Sequence, residues 1–232
     1  MDYNEEEIIC FFSKKGIYIM KRLNNFSLKM IAIVIMAIDH IGAVLFPQYL
    51  GFRIIGRIAF PIFAFTLVEG FLHTRDVKKY MMRLGLLALI SEVPFDLAFF
   101  GTPLEFGHQN VFFTMFLGIA MLYLLLKNVS KLRQFLVVLA MLLLAEFLRT
   151  DYSSAGLLTI FWFYQWRGSQ LLKLAGMAFV NIFYLGGLQA YACFSAIPIA
   201  MYNGKKGPAC KWFFYWFYPV HLFLLYLLNL VI

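Results

Sequence analysis

The chain has 232 residues, of which 62% are hydrophobic and only 14% charged, against about 45–50% and about 25% in soluble globular chains. That excludes a soluble globular fold, a disordered chain and a coiled coil. Three widely spaced cysteines, Cys10, Cys193 and Cys210, are read as free thiols and exclude a disulfide scaffold. A net charge of +8 would suggest nucleic acid in a soluble protein; here its placement points to a lipid bilayer instead, and no nucleic-acid partner is expected.

A bilayer core needs about 20 apolar residues per helix, with a range of about 17–25. In chain order the candidate segments are Leu28–Phe46, Ile54–Leu72, Tyr80–Phe99, Val111–Leu126, Leu132–Leu148, Ala155–Trp166, Leu171–Leu188, Ala190–Met201 and Trp212–Ile232. The sixth and eighth are short and are expected to be half-spanning or mismatched. None has the period-two alternation of a membrane barrel. The predicted fold is therefore an all-α polytopic membrane protein, a bundle of about nine transmembrane helices. If the N-terminus is cytoplasmic, every basic residue except Arg53, Arg57 and Arg149 falls on the inner side. This positive-inside bias predicts an N-in/C-out topology. Residues 1–26 are expected to form a cytoplasmic extension, either an amphipathic surface segment or a disordered tail. Residues 27–232 form one transmembrane domain. The first apolar run lacks a small-residue cleavage site, so no cleavable signal peptide is expected.

An ionisable residue inside a span is expensive, which makes each one a functional candidate. The first span carries Asp39-His40; the second carries Arg57 and Glu69. Glu92 and Asp96, four residues apart on one helical face, flank Pro94 in the third. His108-Gln109-Asn110 opens the fourth, and the last contains Tyr218-Pro219-Val220-His221. At about 1.5 Å per residue, Asp39 and His40 lie roughly 17–18 Å deep, and most of the other groups fall in the same layer. Each buried charge needs a partner there, so convergence on one polar site is expected. Blander roles exist for each. Arg57 can snorkel outward, Glu69 can pair with a loop lysine, and Glu92 with Asp96 can clamp Arg57 or His108. The aromatic run at 212–218 reads as an interfacial belt. His40, His108, His221 and Asp39 lack metal-ligand spacing, and no metal is expected. No phosphate-cradling glycine loop or serine elbow is present.

The residues carrying these groups resemble the TraX family. Leu28-Lys29-Met30-Ile31-Ala32 and Ile38-Asp39-His40-Ile41-Gly42 are similar to its opening. Arg53-Ile54-Ile55-Gly56-Arg57-Ile58-Ala59-Phe60-Pro61-Ile62-Phe63, running on to Glu69-Gly70-Phe71, is similar to its second block. Ser91-Glu92-Val93-Pro94-Phe95-Asp96-Leu97, His108-Gln109-Asn110-Val111-Phe112-Phe113-Thr114 and Phe217-Tyr218-Pro219-Val220-His221-Leu222 follow in the family's order. The family's named member acetylates the N-terminal amine of conjugative pilin, and its proteins look like small relatives of multispan acyl-CoA-dependent acyltransferases.

The resemblance implies an enzyme of the bacterial cytoplasmic membrane. It would move an acyl group, in the first instance acetyl, from cytoplasmic acyl-CoA to an amine or hydroxyl of a peptide, glycan or small-molecule acceptor at the outer side. His40 matches the usual catalytic histidine of the first span. In this reading His40, oriented by Asp39, is the general base, and Arg57 stabilises the thioester oxyanion. His221 is a second base or, with Tyr218, lines the thioester path. Glu92, Asp96, His108, Gln109 and Asn110 hold the acceptor. Arg75, Lys78, Lys79, Lys205 and Lys206 attract the phosphates of CoA. Two other readings are a proton-coupled transporter or flippase and a non-enzymatic membrane scaffold. Nothing in the sequence specifies an oligomer.

Overall fold

The computed structural model describes residues 8–10, 18–127 and 130–231. Asn24 opens the bundle. Its Oδ1 accepts from the Ser27 N–H at 2.9 Å and from the Ser27 hydroxyl at 3.1 Å, an N-cap that starts α1 (Asn25–Leu45). The predicted second span is split into α2 (Leu50–Gly56) and α3 (Ala59–His73), with a break at Arg57-Ile58. Asp76 caps α4 (Val77–Phe100) by accepting from the Lys79 N–H at 3.0 Å, and Gly101 ends it at φ 70°. Next come α5 (Val111–Lys127), α6 (Lys131–Phe147), α7 (Ser153–Gln165) and α8 (Gln170–Phe179), the last continuing as a π-helical turn over Val180–Leu185. A 3₁₀ stretch, Gly187–Ser195, leads into the short α9 (Ala196–Ala200), and α10 (Lys211–Asn229) closes the bundle.

Each apolar segment picked from the sequence thus contains helix. The eighth is mostly 3₁₀ rather than α. Gly186 and Gly187 both adopt positive φ immediately before it and interrupt the α ladder. Two short strands, β1 (Ile8–Cys10) and β2 (Tyr18–Met20), pair antiparallel with Ile8 opposite Met20. The remainder of the segment read as amphipathic or disordered lies outside the described residues, apart from 21–26, which lead into α1.

Backbone ties define the two ends of the bundle. At the end where α1 begins, here the near end, Leu23 donates to the Met201 carbonyl (3.0 Å) and Asn25 to the Lys205 carbonyl (2.8 Å). At the far end, Gln109 donates to the Arg149 carbonyl (3.0 Å) and Asp151 to that of Gln109 (2.8 Å). The main core is built from α3, α5 and α7 around Phe65, Ile119, Leu122, Leu157, Ile160 and Phe163. A second cluster, with Ile33, Met36, Phe95, Tyr218 and Leu222, joins α1, α4 and α10. Outside these cores the helices stay apolar: Phe135, Leu143 and Phe147 on α6, Phe183 after α8, and Leu224 on α10 are all exposed. A water-facing helix is polar on its outer side. The stretches Asn25–Leu45 and Leu50–His73 are long and apolar enough to cross a bilayer. Together these features mark an all-helical membrane bundle.

Two glycines set how closely α1 and α2 approach. A Cβ on Gly42 would fall 2.1 Å from the Cβ of Phe52, and one on Gly56 2.1 Å from the Asp39 carboxyl. The second contact lets α2 lie directly over the carboxylate that its own arginines neutralise.

Candidate functional site

Asp39 is buried on the face of α1 that meets α2. Arg53 and Arg57 are four residues apart, on one face, and both reach it. Arg53 Nη1 lies 2.8 Å from Oδ1 and Arg57 Nη2 2.9 Å from Oδ2. Arg57 also donates through Nε to the Arg53 carbonyl at 3.2 Å and through Nη1 to Gln189 Oε1 at 3.4 Å. Gln189 in turn donates to Asn181 (2.9 Å), whose amide ends on the Met177 carbonyl (2.7 Å). Two guanidinium groups on one carboxylate leave one positive charge at this point. The network satisfies groups that would otherwise be costly to bury.

His40 faces away from Asp39, because adjacent helical residues project about 100° apart. The expectation that Asp39 orients His40 is therefore corrected: the imidazole partner is His221 of α10. His221 Nδ1 lies 2.7 Å from the Phe217 carbonyl. A carbonyl only accepts, so Nδ1 bears the hydrogen and Nε2 the lone pair in the neutral ring. That Nε2 is 2.7 Å from His40 Nδ1, which must donate. The basic lone pair of the assembly is then on His40 Nε2. The ring planes differ by 5° with centroids 5.0 Å apart. At that N–N distance the rings lie edge to edge in one plane, as a hydrogen bond requires, and not face to face. Phe99 and Tyr218 close on His40 edge-to-face, with centroids at 5.4 and 5.8 Å. Pro219 cannot donate to the helix ladder, which loosens the turn that presents His221.

One cavity reaches His40, and a second lies beyond it across a shared wall. The far-end cavity, about 360 Å³, is lined by Asp39, His40, Arg53, Arg57, His108 and Asp151 over an aromatic wall that includes Phe95 and Phe99. The near-end cavity, about 690 Å³, is lined by Lys29, Arg75, Arg83, Lys206 and Lys211, with rings such as Tyr80 and Phe214. Both are bounded by Met36, Phe63, Val111 and Tyr218. One layer of side chains thus separates them.

Several other predicted site residues have different roles. Glu92 Oε2 accepts from the Asn110 N–H (3.2 Å) and, more closely, from the Asn110 side-chain amide. That amide also donates to the Ala88 carbonyl (2.8 Å), and Asn110 Oδ1 caps the Phe112 N–H (3.0 Å). Asp96 accepts from the Glu105 N–H (2.8 Å). Gln109 is tied to Arg149 and Asp151 through its backbone. These four residues fasten the loop between α4 and α5 and do not line the far-end cavity. His108 does line it, with Nε2 3.5 Å from Asp151 Oδ1. The Asp151 carboxylate holds the His108 pKa above the usual imidazole value.

At the near end, Arg75 and Lys206 line the cavity, whereas Lys78, Lys79 and Lys205 do not. Lys79 lies 3.6 Å from Asp76 instead. Glu69 accepts from the Tyr202 hydroxyl (3.0 Å) rather than pairing with a loop lysine. The sequence does not single out the cavity cations Lys29, Arg83 and Lys211, nor, at the far end, Arg53 and Asp151 of the cavity wall or Gln189 and Asn181 of the Arg57 network. For Arg53 the signal was available in its four-residue spacing from Arg57. For Gln189 and Asn181, neutral residues in broken helix, no local pattern marks them. Among the described residues, no group of three or more His, Cys, Asp or Glu could hold a metal ion.

An all-helical membrane bundle with a histidine pair, one member of which lines an internal cavity, defines a class of membrane protein with a built internal site. The chain belongs to the TraX family, whose profile, described as TraX protein, matches residues 25–229. That range starts with α1 and ends with α10. The chain is 30% identical to a probable fimbrial assembly protein, FimC of serogroup H1, from Dichelobacter nodosus, over 86% of this chain and 93% of that protein. A shorter match, 55% identical over 38 residues, joins it to the uncharacterized protein RP591 of Rickettsia prowazekii (strain Madrid E), covering 16% of this chain and 15% of that one. No solved structure matches.

Proposed function

We propose that the protein is an integral membrane acyltransferase of the bacterial cytoplasmic membrane. It carries an acyl group, in the first instance acetyl, from cytoplasmic acyl-CoA to an amine or hydroxyl of an acceptor at the outer side. In this reading about nine helical passes run N-in/C-out, and the near end is cytoplasmic. The observation that carries it is that the far-end cavity, lined by His40, shares the wall of Met36, Phe63, Val111 and Tyr218 with a second, cation-lined cavity. The near-end cavity gathers five cations, as a ligand with several phosphates requires, and its aromatic rings offer stacking surfaces for a purine. The far-end cavity is smaller and holds the basic nitrogen.

The chemistry balances with this chain's own groups. The acyl-CoA thioester reaches the partition from the near end. The acceptor nucleophile forms a bond to the carbonyl carbon as His40 Nε2 takes its proton, and His221 holds the His40 ring in the required tautomer. Negative charge developing on the carbonyl oxygen faces the Arg53–Arg57 pair, which keeps one positive charge beyond Asp39. The C–S bond then breaks, and the proton on His40 passes to the departing sulfur, giving free CoA thiol. The name of the relative from Dichelobacter nodosus puts pilus subunits among the acceptors to try first.

Labelled acetyl-CoA is the direct test. Purified protein in lipid discs should release CoA thiol and label an acceptor from the membrane extract of a piliated bacterium. His40→Ala should abolish both. CoA left intact, alongside protein-dependent proton movement across liposomes, would favour the transporter reading.

A further inference from the structure

The corner between α6 and α7 is held in an unfavourable backbone. Arg149, Tyr152 and Ser153 adopt φ of 51°, 61° and 40°, the left-handed region that residues with a Cβ rarely occupy. Neighbours impose it. The Asp151 N–H is tied to the Gln109 carbonyl at 2.8 Å, its carbonyl receives the Thr114 hydroxyl, and the Tyr152 ring lies on Phe60 with centroids 3.9 Å apart. Such strain persists where surrounding structure fixes it, and it clusters at functional sites. Here it brings Asp151 to the wall of the far-end cavity, 3.5 Å from His108. Unlike Asp39, Asp151 makes no ion pair with a guanidinium among the described residues, although Arg57 lies within electrostatic reach of it. Both side chains keep solvent access, 45% for His108 and 33% for Asp151.

We propose that His108 and Asp151 form a second acid–base pair, which removes the extra proton from an acceptor amine that enters the far-end cavity as an ammonium ion. The proposal rests on the acyl-transfer reading and deepens it. An ammonium nitrogen has no lone pair and cannot attack a thioester. His108 takes the first proton, leaving the free amine and an imidazolium beside Asp151, and then releases that proton to water at the cavity mouth. His40 receives the second proton as the C–N bond forms. With its Nε2–H turned to Asp151, His108 presents Nδ1 as the basic nitrogen. The groups facing His108 are Asp151 from the α6–α7 corner, Glu92 from α4 and the rings of Phe95 and Phe100. Arg53, Arg57, Asp39 and His40 lie across the cavity. Asp151 raises the basicity of His108, which suits proton removal near neutral pH.

The test uses trialanine amide as acceptor and acetyl-CoA as donor, with full-length protein. An α-amine titrates at about 7.7–8.0, so it is mostly ammonium at pH 6.5 and mostly free at pH 9.5. His108→Gln should transfer at least tenfold more slowly than wild type at pH 6.5, and the deficit should shrink to less than threefold at pH 9.5. Asp151→Asn should behave the same way with a smaller deficit, which guards against misfolding of the first variant. A deficit of equal size at both pH values in both variants would make the pair a tie between loops and overturn the proposal. Wild-type protein that acylates a hydroxyl acceptor but never this amine would also overturn it, and would leave the acyl-transfer reading standing. Failure to consume acetyl-CoA with any acceptor would remove that reading, and this role with it.

Discussion

The two cavities differ in how their charges are held. At the far end, Asp39 carries Arg53 and Arg57, and Asp151 carries His108. At the near end, Lys29, Arg75, Arg83, Lys206 and Lys211 line the space without a carboxylate in ion-pair contact among the described residues; Lys29 rests on the Phe214 ring, 5.6 Å from its centroid. Paired charges hold a geometry, and five cations beside one carboxylate, Glu69, leave an excess of positive charge at the near end. In the proposed acyl-transfer reading, the far end positions reacting groups and the near end captures a polyanion. The division predicts that far-end changes act on turnover and near-end changes on affinity.

The largest effect belongs to the histidine pair. His40→Ala removes the basic nitrogen and should lower kcat by about 10²–10⁴-fold with little change in KM for acyl-CoA. His221→Phe keeps the ring volume but removes the acceptor that fixes the His40 tautomer, and should fall short of that loss. Steady-state CoA release measures both. Equal losses in the two variants would mean that His221 does more than orient its partner.

Asp39→Asn tests the paired network. It leaves two guanidinium groups without their buried counter-charge, a loss of about 3–5 kcal/mol by analogy with other broken buried pairs. Thermal unfolding of the detergent-solubilised protein should show a large fall in Tm. A fall of only a few tenths of a kcal/mol would indicate that water already reaches the pair. At the near end, the double change Lys29→Met with Lys206→Met should raise KM for acyl-CoA about tenfold and leave kcat within twofold. Added salt should shrink the difference, because it screens the attraction. A kcat loss in this variant would break the division between the two ends.

The helical segments were legible because lipid solvent demands long apolar runs with internally satisfied backbone, and Asn24, Asp76 and Gly101 supply readable start and stop signals. The meeting of His40 with His221 was legible only as a shared depth. Depth is fixed by counting residues along a helix, but rotation about the helix axis decides which neighbour a side chain meets. Asp39 and His40, adjacent in sequence, turn to α2 and α10 respectively. Glu92 and Asp96 show the same limit: their spacing put them on one face, but that face meets the α4–α5 loop and not the cavity. Which near-end cations reach the cavity was hidden for a related reason. Lys78 and Lys79 sit beside Arg75 in sequence, yet the chain turns at Asp76, and only Arg75 remains on the cavity side.

The smallest effect concerns the stability of the His108–Asp151 contact. The folded-state pKa of His108 is raised: the Asp151 hydrogen bond is the largest cause, and together with the charges of Asp151 and Glu92 it outweighs burial, which lowers the value. A raised value means that the folded protein binds this proton more tightly than the unfolded chain does. The stabilisation is therefore complete below about 6.5, the ordinary imidazole value, and disappears as the pH climbs through the raised one. With nearly half of the His108 side chain exposed, solvent screening keeps the contribution within about 1 kcal/mol. The Tm gap between wild type and Asp151→Asn should be widest at pH 5.5 and should narrow by pH 8.5. The neighbouring backbone bonds from Gln109 to Arg149 and Asp151 do not titrate. A gap of constant size would assign the stability of this corner to them, and would leave the side-chain pair to chemistry alone.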